Sequence, residues 1–591
     1  MAETSQVAFE SPPAPRVASP RAEAMLVVDL GAGQGADFAR RVGAGYLDER
    51  SFAAASDQAE LRKIVLFLSG SAPCPSPKVT ERLGALAEAN RDLRLCVVSS
   101  YRAHFGDTRV LAAERSISER LHRATTARVT ILRPGNVVGV GSPLETRLRW
   151  LGALYPLVPS RLRSCFLDVE ELLGVIDNVT GANQARRRRV ISILGPNRAL
   201  RDVLAQRRPS GTFSWLVTFV AQVLAWLCVG RLLGLAFSVA ARMHRPLRCW
   251  QFDTLTPAST DELLALYNPY NYRYVAVAGY NTGVVHFGWE WPGRTVVKTV
   301  GSGHVVRLRG DSVVVDAGLT LKRTVEVLRR LGRELCVVPN YSYISMGTTF
   351  FVPVHGSACD VSTLGETIEK VWLYDPKSDR LVVVRRSDPR FVDAMYRPAS
   401  GMLALRLQLR VQTRRRFVVE HTTLDSPTAS EVWELLGDRS AANIELRKSR
   451  AGDSQVDVRK YYPASAADEA VLDAAQDSVG RLWDKLEENA LTSYAFHTLI
   501  RRFGFHVELF LDEREFAVFW NAHRGLPLSK IQLRYVRADH LPHSPCGDRD
   551  CASADLFMLR SKSAAFLNFV REHLPHARFN PGKHSARLPA R

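Results

Sequence analysis

The chain has 591 residues, 46% of them hydrophobic and 24% charged, with nine cysteines and a formal net charge of +19. Such a length predicts about three or four domains with buried cores, and excludes a disordered or fibrous chain. The cysteines lack a disulfide-framework spacing, and no helix-turn-helix, zinc-finger or RNA-binding signature accompanies the basic excess, so a disulfide scaffold and a nucleic-acid partner are set aside.

Residues 1–24, rich in Pro, Ala and Ser, predict a disordered leader without the pattern of a secretory signal, and a cytoplasmic location is the expectation. Residues 25–205 alternate β-like and helix-like segments, which predicts a doubly wound α/β domain. Strands are expected at Met25–Leu30, Ile64–Leu68, Leu95–Ser99 and Arg128–Leu132. Three fragments, CVVSS ending at Ser100, His104–Gly106 and Ile131–Gly139 (ILRPGNVVG), resemble the extended short-chain dehydrogenase/reductase family of NAD-dependent epimerases and dehydratases. The resemblance implies a Rossmann-like fold. That family needs a Tyr-x-x-x-Lys pair, in which the lysine lowers the tyrosine pKa for acid–base work. Gly106–Leu121 contains neither residue. The turn Val28–Gly35 has the wrong glycine spacing for that family and reads more like the first motif of a methyltransferase, which later segments do not continue. The expectation is a degenerate, non-catalytic nucleotide-binding module.

Residues 206–248 form an apolar segment flanked by arginines. Ser210–Gly230 carries no charge, and within Phe213–Ala241 the only charged residue is Arg231. Two readings stay open: a membrane-associated segment at 210–241, spanning or interfacial, or a buried helix tying two domains together.

Residues 251–415 supply the most informative pattern. Pro257, Ser259, Glu262 and Leu263 suit a helix start, Tyr274–Ala278 a strand, and Gly279, Tyr280, Asn281, Thr282 and Gly283 a tight loop. Ser312–Leu321 is a β-rich run that ends in Ala-Gly before a helix-like Lys322–Leu331. A loop of small and hydroxyl residues follows, with Ser345, Met346, Gly347 and Thr348 leading to His355, Gly356 and Ser357. Small residues admit a close ligand, and clustered N–H and hydroxyl donors suit a pyrophosphate. Thr363–Glu366, a strand at Ile368–Tyr374 and a glycine turn at Gly401 continue the order. This succession resembles the FAD-binding (PCMH-type) core of the vanillyl-alcohol-oxidase flavoproteins, most closely the alditol and D-arabinono-1,4-lactone oxidases. The resemblance implies an α+β FAD-binding domain and, over residues 416–591, an α+β substrate-covering domain that returns to the flavin. All of the loop residues from Gly279 to Ser357 named above, together with Gly401, would line FAD. Relatives with a covalent flavin carry a histidine in the first loop, where this chain has Tyr280-Asn281-Thr282, so noncovalent FAD is expected.

In the C-terminal region, Gln532 and Arg534 resemble a Glu-x-Arg pair that orients substrate hydroxyls, with an amide in place of the carboxylate. Phe579–His584 resembles a terminal Gly-Lys motif, which implies that Lys583 stabilises the reduced flavin. The implied reaction is oxidation of an alcohol of a sugar, polyol or aldonolactone, free or lipid-linked, by hydride transfer to flavin N5. An NAD(P)-dependent sugar-nucleotide enzyme and a non-catalytic nucleotide-binding scaffold are the alternatives. His540, His543, Cys546 and Cys551 have zinc-ligand types at nearly the right spacing, but the expectation is a polar loop and no metal.

Overall fold

A computed structural model describes residues 25–30, 35–42, 44–54, 61–68, 75–90, 92–123, 128–139, 142–181, 188–280, 287, 291–339, 341–357, 360–397, 400–449, 451–465 and 485–583. By contact density the chain forms two compact units. One comprises Met1–Arg149 with Asp168–Val190, the other Trp150–Leu167 with Ile191–Arg591.

The first unit is built on strands β1 (Met25–Leu30), β2 (Gly45–Asp48), β3 (Lys63–Leu68), β4 (Arg94–Val98) and β5 (Arg128–Pro134). They pair in parallel in the order β2-β1-β3-β4-β5. Central parallel strands are buried on both faces, which is why KIVLFL and RLCVV are near-continuous apolar runs. The spatial order 2-1-3-4-5 is the second of the two common doubly wound arrangements and not the 3-2-1-4-5-6 order of the Rossmann arrangement. The Rossmann-like expectation is corrected to that extent: beyond β1 lies a single strand. At the end of β1, the buried Asp29 carboxylate accepts the Gly35 N–H at 2.8 Å. A Cβ on Gly35 would lie 2.7 Å from that of Asp29, so the helix can start there only on glycine.

The segment that lacks the Tyr-x-x-x-Lys pair contributes to a closed ion pair. Ser99 donates to Glu114 Oε1 at 2.7 Å, and Arg133 grips both oxygens of Glu114 at 3.0 and 2.6 Å. Serine, glutamate and arginine are thereby occupied with one another.

Three sheets of the second unit bear on the site. Strands β6 (Thr254–Leu255), β7 (Val275–Ala278) and β8 (Thr295–Lys298) form a small parallel sheet in the order β6-β8-β7. Strands β9 (Val306–Arg309), β10 (Ser312–Asp316), β11 (Ile368–Asp375), β12 (Arg380–Arg385) and β13 (Leu403–Thr413) pair antiparallel in the order β9-β10-β13-β11-β12. The C-terminal sheet has seven strands: β14 (Phe417–Asp425), β15 (Asn443–Lys448), β16 (Gln455–Pro463), β17 (Gly504–Leu511), β18 (Leu528–Val536), β19 (Cys551–Leu559) and β20 (Arg578–Phe579). Its order is β14-β16-β15-β18-β19-β17-β20. Helices Ala429–Leu436, Glu513–Ala522 and Ser563–His573 cover one face, where Phe516, Phe519 and Phe566 are fully buried. The other face is left for the site.

The apolar segment folds as two helices, α1 (Thr212–Trp226) and α2 (Val229–Met243), bent by 78° at a break where Cys228 adopts φ 66°. Among the described residues no single helix is long and apolar enough to cross a membrane. The buried-helix alternative does not hold, because Phe213 and Trp226 are 80% and 82% exposed.

Buried asparagines stitch the unit's N-terminal part to the parallel sheet. Asn271, fully buried, donates to Ser192 O at 2.7 Å and Leu266 O at 2.8 Å, and accepts the Leu194 N–H at 2.9 Å. Asn271→Leu removes all three bonds; Ser192 O keeps Asn268 Nδ2 at 3.0 Å, whereas the Leu194 N–H loses its partner, at about 1–3 kcal/mol for a buried group left unpaired. A lowered thermal midpoint, with faster amide exchange at Leu194, is the expected result.

Candidate active site

The first wall of the site is a loop pinned by its own backbone. Strand β10 runs into Ala317–Leu319, and the loop at 342–347 lies alongside it. Leu321 donates to Ile344 O at 2.8 Å, Met346 to Leu319 O at 2.7 Å and Gly347 to Ala317 O at 2.8 Å. These bonds occupy the Met346 and Gly347 N–H groups, and the Met346 side chain is buried in the core. Ser345 and Thr348 turn their hydroxyls toward each other at 2.9 Å. A Cβ added to Gly279, just past β7, would meet Thr348 Oγ1 at 2.3 Å and Ser345 Oγ at 2.6 Å. The two hydroxyls therefore occupy the space that a side chain at 279 would need.

The second wall is the open face of β17, β19 and β18. Side chains alternate across a strand, so every second residue faces the site. Cross-strand register sets three rows: His506, Phe557 and Lys530; then Glu508, Asp555 and Gln532; then Phe510, Ser553 and Arg534. The intervening residues, among them Val507, Leu509, Ile531, Leu533, Ala554 and Leu556, fill the core behind. One sheet thus carries an apolar face and a polar face made from the same strands.

Glu508 joins the two walls. Its Oε1 accepts from His355 Nε2 at 2.8 Å and Ser553 Oγ at 2.6 Å, and its Oε2 from Asn580 Nδ2 at 2.7 Å and Lys583 Nζ at 3.0 Å. His355 belongs to the first wall, Ser553 to the sheet, and Asn580 and Lys583 to the C-terminal tail. That tail is held by β20, paired with β17, and a Cβ on Gly582 would come within 2.5 Å of Val352. Glycine at 582 is what lets Lys583 reach inward. Lys583 also contacts Asp555 at 3.1 Å, and Asp555 pairs with His506 as well. Burial alone would raise the Glu508 and Asp555 carboxyls; their partners, Lys583 and the His355 ring for Glu508 and the His506 ring and Lys583 for Asp555, outweigh burial and hold both well below the usual range. Burial opposes the charge of Lys583, but Asp555 and Glu508 raise its pKa. Burial pushes Lys530 the other way, downward.

Between the walls lies a cavity of ≈ 250 Å³. Gly279, Tyr280, Thr348, His355, Gln532, Arg534 and Lys583 all line it, so residues about 300 positions apart in the sequence meet in one place. Ser345 adjoins it through Thr348. Met346, Gly347, Gly356, Ser357 and Gly401 do not line it. Gly356 is a close-approach position, since a Cβ would meet Val338 O at 2.8 Å. Gly401, at φ 74°, accepts the Tyr267 hydroxyl at 2.6 Å. These residues shape the wall without forming it. Asn281, Thr282 and Gly283 fall outside the described residues.

Sequence reading missed Glu508, Asp555, His506, Lys530 and Asn580, which also line the cavity. The alternation in HVELFL was a usable signal, because a glutamate and a histidine on one face of an otherwise apolar strand need partners. Lys583 is balanced by two carboxylates, Glu508 and Asp555. Of the residues that line the cavity, Gln532, through Nε2, and Arg534, through Nε, carry buried nitrogens without an acceptor, and Ser357 Oγ nearby is likewise buried and unpartnered. Unmatched buried donors, a glycine-floored hydroxyl pair and a wall of Tyr280, Tyr341 and Ile344 suit a ligand with a flat ring and a phosphate chain such as FAD. Among the described residues no group of His, Cys, Asp and Glu is arranged to hold a metal. His540 and His543 are exposed, whereas Cys546 and Cys551 pack with Phe510 and Val536.

No family model matches the chain, and no curated protein matches its sequence. Solved structures with partial likeness include cholesterol oxidase from B. sterolicum, at 12% identity and a TM-score of 0.40, covering 56% of this chain and 82% of that one. A variant of Phl p 4 described as a glucose oxidase shows 11% identity and a TM-score of 0.42, covering 56% and 79%. Likeness of that degree establishes neither a shared fold nor a shared chemistry.

The depressed carboxyls carry a pH consequence. Groups whose folded pKa lies below the unfolded one stabilise the fold above the unfolded value, and that stability is lost as pH falls toward the folded value. Thermal stability of the second unit is therefore expected to decline from about pH 4.5 downward. Glu508→Gln, which leaves Lys583 and His355 without that charge, should cost about 3–5 kcal/mol at neutral pH. In the same variant a shallower acid decline, read from melting curves across pH, is expected.

Proposed function

We propose that the chain is an FAD-dependent oxidoreductase that oxidises a hydroxyl-bearing carbon of a sugar, polyol or aldonolactone, free or lipid-linked. The observation that carries this reading is the meeting of the Gly279–Thr348 wall with Gln532, Arg534 and Lys583 around one cavity. When bound, FAD would accept a hydride from the alcohol carbon and later pass the electrons to an acceptor.

The chain's own residues divide the remaining work. Gln532 and Arg534 offer buried donors without protein acceptors, and these would fix the substrate's oxygens. The pair presents amide and guanidinium, so recognition rests on hydrogen bonds to neutral hydroxyls or a lactone oxygen. Glu508 is a poor base, because four donors already occupy it and hold it ionised. Lys530 is the cavity amine whose pKa burial lowers, so in its neutral form it is the group suited to accept the proton released from the alcohol. Lys583, locked between Glu508 and Asp555, would supply a fixed positive end without having to reorganise. The NAD(P)-enzyme alternative meets a direct obstacle in the occupied Ser99–Glu114–Arg133 cluster.

Purified protein is expected to be yellow, with acid precipitation releasing the colour into the supernatant. Protein that stays colourless after incubation with FAD would sink the reading. Arg534→Met should lower kcat/KM for the best alcohol or lactone substrate by about 10²-fold, the size typical of losing one charge-stabilising donor. Flavin content should be unchanged in that variant, which separates substrate handling from cofactor binding.

A further inference from the structure

Helices α1 and α2 are inside out for a water-facing surface. A helix lying on a soluble protein buries its large apolar stripe. In α1 the buried positions are Ser214, Thr218 and Ala221, spaced by four and three, while Phe213, Trp215, Phe219 and Trp226 are exposed. In α2 the buried positions are Gly234 and Ala241, while Leu232 and Leu235 are exposed. Gly234 packs so closely that a Cβ would meet Arg161 at 2.7 Å and Pro159 at 2.8 Å. Small residues inward and large apolar residues outward is how helices pack when lipid is the solvent.

The charge pattern names the surface. From Asp202 to Asp253 the chain has no carboxylate, but it carries Arg207, Arg208, Arg231, Arg242, Arg245 and Arg248. Each helix has 15 residues, about 22 Å of rise, against roughly 30 Å of bilayer core. The 78° bend turns the second helix away from the direction of the first.

We propose that this hairpin is seated in one leaflet of an anionic lipid bilayer, with its apolar flanks in the acyl region and its arginines at the phosphates. A second copy of the chain fits the surface poorly, because it would set arginines against arginines with no carboxylate between them. The proposal does not depend on the flavin reading.

The test is flotation of the full chain with phosphatidylcholine vesicles, with and without phosphatidylglycerol. Co-flotation is expected with the anionic vesicles, and Cys228, exposed at the bend, should become protected there from a membrane-impermeant maleimide added outside. The double variant Phe219→Ser/Trp226→Ser should lose co-flotation while keeping the wild-type melting temperature. Arg208→Gln/Arg245→Gln should weaken binding to anionic vesicles by roughly thirtyfold, at about a factor of five for each arginine. No co-flotation of the wild type overturns the proposal, as does oligomerisation that protects Cys228 without lipid. Labelling of Cys228 by reagent trapped inside the vesicles would show a crossing and overturn the one-leaflet arrangement.

Discussion

A single buried carboxylate organises the site. Glu508 sits 2% exposed in the middle strand row and could not remain charged there alone, because desolvating an unpaired carboxylate costs several kcal/mol or more. Its four donors come from three separate parts of the chain: the 342–357 loop, the neighbouring strand β19 and the C-terminal tail. The requirement that Glu508 be satisfied therefore aligns those parts with one another. The cavity is the space left between them.

The remaining cavity chemistry follows from what Glu508 has taken. With His355 and Lys583 engaged by carboxylates, the recognition capacity falls to groups that find no partner in the protein. Gln532 and Arg534 sit two residues apart on β18 and so share the open face, each with a buried nitrogen unmatched. Buried donors without acceptors are costly in a bare protein. They are the groups whose cost a bound oxygen-rich ligand would remove. Opposite them the protein uses glycine at 279, 356 and 582 to bring backbone segments within reach of each other.

The N-terminal unit shows how a familiar pattern can be retained with different contents. The apolar strand runs and ILRPGNVVG were enough to place four of the parallel strands within two residues, but β2 (Gly45–Asp48), mostly exposed, was not expected. They did not report the strand order, because order depends on which crossover connections pack against which face. Nor did they show that Ser99 and Arg133 close on Glu114. Periodicity records burial, not partnership.

In the second unit, sequence alone reached several elements and part of the candidate site. Ordered glycine and hydroxyl motifs, a Gln-x-Arg strand and a Gly-Lys tail identified seven of the residues that line the cavity. Local chemistry is readable because turns, caps and alternation act over a few residues. Only the tertiary structure decided that Lys583 is balanced by Glu508 and Asp555, that Met346 faces the core, and that α1 and α2 expose their large side chains. Each of those outcomes depends on register between distant strands or on which helix face finds a neighbour. One chain segment does not contain that information, because the energy that selects among the options comes from its partners.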